Sequence, residues 1–168
     1  MADLVIYFSR SGENYFGGEL KSIEKGNTEL IAEYIRDLTG ADLFKVEPAA
    51  SYPDDYMECI DVAKKEQQDD ARPILKETLE DISDYDTVYI GFPNWWGTLP
   101  MPMFTQLEQL DFTQKTVKPF VTHEGSGFGK SQKDLKKLCS GAEIKKGLSI
   151  PGADVYSADE IVKAWIEK

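Results

Sequence analysis

At 168 residues the chain has the size of one domain, able to bury about 70% of its unfolded surface in a single core. Its 41% hydrophobic and 29% charged content is that of a globular protein, and no run approaches the roughly 18 apolar residues of a membrane span. The net charge of −11 argues against nucleic-acid binding.

That acidity is concentrated. Between Asp54 and Asp86, twelve acidic residues stand against four basic ones. Most of them read as a solvated helical face, and as a functional surface they would attract basic partner proteins. Met1-Ala2-Asp3 passes directly into a strand-like run without a basic region or cleavage site, so no secretory leader and a cytoplasmic setting are expected. Cys59 and Cys139 lie in helical patterns with neither C-x-x-C nor metal spacing, and read as buried reduced thiols. His123 is the only histidine, which argues against a histidine-based metal site.

Leu4 to Phe8 is a continuous apolar run, the pattern of a strand buried on both faces. It ends in the hydroxyl-rich loop Ser9-Arg10-Ser11-Gly12-Glu13-Asn14, and a polar, glycine-containing stretch follows up to Gly26. Asn27-Thr28 then sits where an N-cap belongs, ahead of Leu30, Ile31, Tyr34, Ile35 and Leu38 at helical spacing, with Gly40 as the stop. Ala41 to Val46 reads as a more polar edge strand. Asp54 to Gln68 reads as a helix with Met57, Ile60 and Val62 or Ala63 inward. Pro73 opens a further short helix carrying Ile74, Leu75, Leu79 and Ile82.

Thr87 to Phe92 is the second fully apolar strand. It delivers Pro93-Asn94-Trp95-Trp96-Gly97 to one end of the sheet before Pro100 and Pro102 start a helix burying Phe104, Leu107 and Leu110. Two adjacent indoles on a proline-bracketed loop either cap the core or wall a flat aromatic ligand, and the ligand reading is preferred. Thr116 to Thr122 is a strand despite Pro119. It leads into the loop His123-Glu124-Gly125-Ser126-Gly127-Phe128-Gly129 and a helix from Ser131 to Leu138. Ile144 to Ile150 is a last strand. Ser157-Ala158-Asp159-Glu160 reads as a capping box ahead of a helix burying Ile161, Val162, Trp165 and Ile166.

This alternation predicts a three-layer α/β domain: a doubly wound five-stranded parallel sheet of order 2-1-3-4-5, covered by helices on both sides. In that order ligands bind beyond the carboxyl ends of strands 1 and 3, where the hydroxyl, tryptophan and glycine loops converge. Ser9, Ser11 and Asn14, with the helix start at Asn27 and Thr28, can cradle a phosphate, although capping and turn formation alone account for the same residue types. Trp95 and Trp96 offer ring faces, and Gly97 lets a peptide turn against a ring edge. Backbone groups of Glu124 to Gly127 can bond a polar ring edge. An anion at one end and a flat ring at the other describe flavin mononucleotide (FMN).

YFSRSGEN…GNTE, YIGFPNWWGTLPMP and FVTHEGSGFGKS together resemble the flavodoxin-like family, particularly its small single-domain bacterial members, over essentially the whole chain. The resemblance implies a non-covalent FMN site. Ser9, Ser11, Asn27 and Thr28 match its phosphate loop, Pro93, Asn94, Trp95, Trp96 and Gly97 its first ring loop, and His123, Glu124, Gly125, Ser126 and Gly127 its second. It departs from the compact phosphate loop by an insert at 13–26, a flap or hairpin beside the cofactor. It also lacks a stacking tyrosine after strand 4, for which Phe128 is the candidate substitute.

Competing motifs fail on single positions. A nucleoside-triphosphate loop needs glycine where Glu124 stands, and in a G-x-G-x-x-G pattern Gly129 arrives one residue early. A phospho-acceptor receiver would carry aspartate where Pro93-Asn94 stand. His123 reads as a loop hydrogen-bonding residue ahead of a proton-transfer group. Two functional classes stay open: an electron carrier docking partners through its acidic face, and an enzyme passing electrons from NAD(P)H to a quinone-like acceptor.

Overall fold

A computed structural model describes residues 2–167 of the chain. The central sheet has the order β4-β1-β5-β6-β7, with β8 also paired to β6. Its strands are β1 (Ala2–Tyr7), β4 (Asp42–Lys45), β5 (Tyr85–Pro93), β6 (Thr116–His123), β7 (Glu143–Ile144) and β8 (Leu148–Pro151), paired in parallel throughout. Counting β7 and β8 as one interrupted strand, this is the expected order 2-1-3-4-5.

The β1 and β5 runs lack polar alternation because both faces are covered. Leu4, Ile6, Phe8, Val88, Ile90 and Phe92 join one core with Met103, Leu107 and Leu135. Val5, Tyr7 and Tyr89 join the other with Ile31, Ile35, Val162 and Trp165. Helix α1 (Asn27–Thr39) and α5 (Asp159–Ile166) serve the second face, and α3 (Met101–Leu107) and α4 (Ser131–Leu138) the first. Gly91 is required by close packing, since a Cβ there would lie 2.0 Å from Phe120 Cζ. Pro119 is tolerated inside β6 because its missing N–H falls on the side where β7 has ended and β8 has not begun.

Four expectations change. Residues 73–84 form no helix: the chain runs beside the segment that follows β4 through a Pro48–Leu75 bridge and the bonds Ala49 N–H to Ile74 O and Lys76 N–H to Glu47 O. The fully buried Gln106 amide then accepts from Leu79 N–H and donates to Leu79 O, so this backbone is satisfied without helical turns. Helix α2 (Tyr56–Gln68) buries Cys59 and Ala63 and leaves Met57 and Val62 exposed. The capping box does not form, because a 3₁₀ turn (Gly152–Ser157) runs into α5 and Ser157 already belongs to it. Ile161, read as buried, is exposed on α5.

The insert is an antiparallel hairpin, β2 (Gly12–Phe16) and β3 (Glu19–Ile23), separate from the main sheet. Its turn places Gly17 and Gly18 at φ 64° and 85°, the backbone a two-residue hairpin loop demands.

Candidate functional site

The loops after β1, β5 and β6 meet at the carboxyl edge of the sheet. At its anion end, α1 begins with Gly26 as N-cap and Asn27 and Thr28 as the first helical residues, one step later than the N-cap position expected for Asn27. Gly26 has no capping side chain. Ser9, from the loop after β1, replaces it: its Oγ accepts from Glu29 N–H at 3.1 Å. A Cβ on Gly26 would sit 2.0 Å from that Oγ and 2.7 Å from Arg10 O, so the two halves of the loop are in direct contact across the insert.

The other anion-end residues have distinct surroundings. Thr28 is buried, its hydroxyl paired with Thr122 Oγ1 at 2.9 Å, so its backbone rather than its side chain is the group offered to a ligand. Asn14 Nδ2 donates to Arg10 O at 2.7 Å. Asn27 Oδ1 is buried without a hydrogen-bond partner, which costs free energy unless a ligand or water donates to it. Ser11 is exposed and, with Ser9, lines a polar depression of about 200 Å³ beside β4.

At the ring end, Trp95 and Thr98 exchange both backbone bonds, Trp95 N–H to Thr98 O at 2.9 Å and Thr98 N–H to Trp95 O at 3.2 Å. Between them Trp96 and Gly97 take φ 53° and 88°, a type I′ pattern that explains the glycine. Asn94 locks the turn, its Oδ1 accepting from Gly97 N–H at 2.9 Å and its Nδ2 donating to Gly127 O at 2.7 Å. Gly97 O accepts from Lys130 N–H at 2.7 Å. The first and second ring loops are therefore one hydrogen-bonded unit.

The two indoles divide the roles weighed for them. Trp95 is half-buried, its ring meeting Phe8 and Tyr52 edge-on at 4.9 and 5.0 Å, so it caps the core while presenting surface to the crevice. Trp96 is 44% exposed and points to α2, its Nε1 donating to Ile60 O at 2.8 Å with Lys64 Nζ 4.9 Å from its ring centroid.

Two adjoining cavities share Tyr56, Asn94 and Trp95. One, of about 150 Å³, brings together Asn14 and Asn27 from the anion end, Pro93 from the first ring loop, and His123, Glu124 and Ser126 from the second. The other, of about 220 Å³, opens between Trp96 and a stripe of α2 made by Tyr56, Cys59, Ile60 and Ala63. Those four stand at i, i+3, i+4 and i+7, one helical face. Gly125 and Gly127 hold φ 128° and 62° and shape the loop between them.

Electrostatics follow from burial. Arg10 donates to two backbone carbonyls, Glu13 O and Asp54 O, rather than to a carboxylate among the described residues, and it borders both the 220 Å³ cavity and the polar depression. Burial pushes the Cys59 thiol up, opposed by Arg10, which keeps it protonated and unreactive. Burial holds the His123 imidazole below its ordinary value, with Glu124 opposing. His123 Nδ1 accepts from Gly125 N–H at 2.9 Å, which leaves the proton of the neutral ring on Nε2, 2.7 Å from Ser149 Oγ.

Sequence reasoning did not single out Tyr15 and Tyr56 as cavity walls. Phe128 is not one: it packs against the first core, close enough to Gly147 that a Cβ there would lie 2.4 Å from Phe128 Cζ.

The fold is that of a doubly wound α/β protein with a crevice at the switch point of its sheet. The chain belongs to the flavodoxin family, whose model matches residues 3–168. Among solved structures it is similar to proteins of Bacteroides uniformis and Bacteroides eggerthii, each provisionally described as a flavoprotein. The first is 30% identical, with 99% of this chain and 98% of that one covered and a TM-score of 0.76. The second is 30% identical, with 99% and 96% covered and a TM-score of 0.78. A Lactobacillus acidophilus flavoprotein in complex with FMN is 20% identical over 93% of this chain and 97% of that one, with a TM-score of 0.63. No curated protein matches significantly.

Proposed function

We propose that this protein binds FMN without a covalent link and works as an electron carrier. The observation that carries the reading is the crevice. Its anion end holds a helix start and a buried acceptor, Asn27 Oδ1, lacking a protein partner, and its other end holds an indole on a locked type I′ turn. The residues present fit the cofactor. The N–H groups of Asn27 and Thr28 belong to the first turn of α1, where the helix has no carbonyl to offer them and an anion is favoured. Asn27 Oδ1 would accept from a hydroxyl of the ribityl chain, and Trp95 offers the ring a wall. The FMN complex of the Lactobacillus acidophilus relative supports this choice of cofactor.

Bound FMN would supply the one- and two-electron chemistry, and this chain the position and field. The Gly97 carbonyl is anchored to Lys130. That of Trp96 accepts from the Gln67 side chain at 3.2 Å, so turning the Trp96–Gly97 peptide towards a ring edge would exchange that bond and the one from Gly97 N–H to Asn94 Oδ1 for bonds to the ring. The acidic residues of segment 54–86 include exposed carboxylates on α2, the helix whose apolar stripe lines the crevice, and their field would disfavour added negative charge on the ring, lowering its potential. They also suit a basic redox partner.

Reductive titration of FMN-loaded protein, followed by NAD(P)H oxidation with a quinone acceptor, tests the reading. A carrier takes up electrons in separated one-electron steps and consumes little NAD(P)H by itself. Rapid NAD(P)H-driven quinone reduction would replace it with an NAD(P)H:quinone reductase.

A further inference from the structure

We propose that the β2–β3 hairpin is the outer wall of the cofactor crevice, with Tyr15 as the residue that covers the bound flavin nucleotide. The inference rests on the FMN reading above and goes beyond it, because it assigns the covering surface to the insert rather than to the loop after β6.

The hairpin is tied to both sides of the crevice, and at its tip Phe16 also packs against the second core. On the α2 side, Glu13 Oε1 accepts from Tyr56 N–H at 2.8 Å, and the Tyr15 and Tyr56 rings meet edge-to-face at 4.9 Å and 87°. On the far side, Gly18 N–H donates to Glu124 Oε1 at 3.1 Å, and Phe16 meets Tyr156 at 5.8 Å. The strap thus spans from the start of α2 to the second ring loop. Beneath it lies the cavity that Asn14 and Tyr15 line together with Asn27, whose Oδ1 is buried and unpartnered. A hairpin serving only as surface structure gives no reason for a buried acceptor to stay unsatisfied under it. A ligand lying there does.

The arrangement also accounts for the missing tyrosine after β6. Phe128 is committed to Gly147, and the aromatic surface over the crevice comes from Tyr15, held by Tyr56. The hairpin leaves the sheet at Gly12, where φ is 82° and a Cβ would touch nothing, and rejoins α1 at Gly26. The cofactor passes in and out by a swing about these two points, which breaks the Gly18–Glu124 and Glu13–Tyr56 bonds and lifts Phe16 from the second core. With that side covered, the opening beside the exposed Trp96 is the side left for electron exchange.

The test uses full-length protein loaded with FMN, diluted in a stopped-flow instrument while the fluorescence of released flavin is followed. Tyr15→Ala should release FMN about tenfold faster, the order expected for losing one ring contact, and Tyr15→Phe should stay within about twofold of wild type. Hydrogen exchange on the unmutated protein is the second readout. Adding FMN should slow exchange at residues 12–23, Gly18 N–H included. Equal release rates for wild type and Tyr15→Ala, or exchange at 12–23 unmoved by FMN, overturns the proposal while leaving the FMN reading intact. Wild-type protein that retains no FMN overturns both.

Discussion

Gly26 offers the sharpest test of how the anion end is built. Its φ of −64° and ψ of 152° suit any residue, so alanine there meets no backbone strain and its whole effect is steric. The new Cβ would fall 2.0 Å from Ser9 Oγ, 2.7 Å from Arg10 O and 2.9 Å from Arg10 C. The hydroxyl can rotate away, giving up its bond to Glu29 N–H, a capping loss of about 1 kcal/mol. The Arg10 carbonyl is backbone and must retreat by roughly half an ångström, an overpacking cost of about 1–2 kcal/mol. Gly26→Ala should therefore lose about 2–3 kcal/mol, a fall in Tm of roughly 5–10 °C for a domain of this size. Because the retreat also carries Arg10 away from Glu13 O and Asp54 O, FMN affinity should drop at least about tenfold as well. Gly40→Ala is the control: φ is 75° with nothing within 4 Å, so it costs about 1 kcal/mol of backbone strain and leaves affinity alone. Thermal melts and flavin fluorescence titrations of both variants decide it. A Gly26→Ala protein matching wild type in both would refute the idea that Ser9 and α1 form one cradle.

Three further outcomes are expected. At the ring end, Gly97→Ala has open space and should cost only about 1–2 kcal/mol of left-handed strain. Gly129→Ala drives a Cβ to 2.4 Å from Gly97 O, so chemical denaturation should show it to be the more damaging, and the opposite ranking would contradict the coupled-loop geometry. Burial keeps the folded-state pKa of His123 below its ordinary 6.5. The unfolded chain therefore takes up the proton first, and the stability held by the neutral ring is complete above 6.5 and lost as pH falls through the lower folded value. Protonation also removes the acceptor for Gly125 N–H, so FMN affinity should weaken over that interval, and an unchanged acid profile in His123→Gln would clear His123 of the effect. Finally, Gln106→Ala strands Leu79 N–H and O and should cost about 2–4 kcal/mol in urea unfolding, and a loss under 1 kcal/mol would show that water replaces the amide.

What could be read from the sequence was what local pattern encodes. Leu4 to Phe8 and Val88 to Phe92 are apolar on both faces, so two central strands and their order were legible, and with them the three loops that meet at one edge. Contacts made across the chain were not. Leu75, Leu79 and Ile82 have helical spacing, yet Gln106 satisfies that backbone from a distance. Which stripe of α2 faces inward depends on how the helix is rotated against the crevice, so Tyr56 was not singled out and Met57 was read as inward, whereas Cys59 was read as buried and of the alternatives Val62 and Ala63 it is Ala63 that is buried. Ser9 caps a helix that starts 18 residues later, and nothing local announces it. Gly17-Gly18 between two short runs was a hairpin signal present in the sequence, but not one that says what the hairpin covers.

The most direct measurement is a titration of FMN-free protein with FMN and, separately, with riboflavin, following flavin fluorescence. The account predicts one equivalent of FMN bound with its emission quenched, and riboflavin bound at least about tenfold more weakly for want of the anion that the start of α1 favours. Unquenched FMN, or equal affinity for the two flavins, would contradict it.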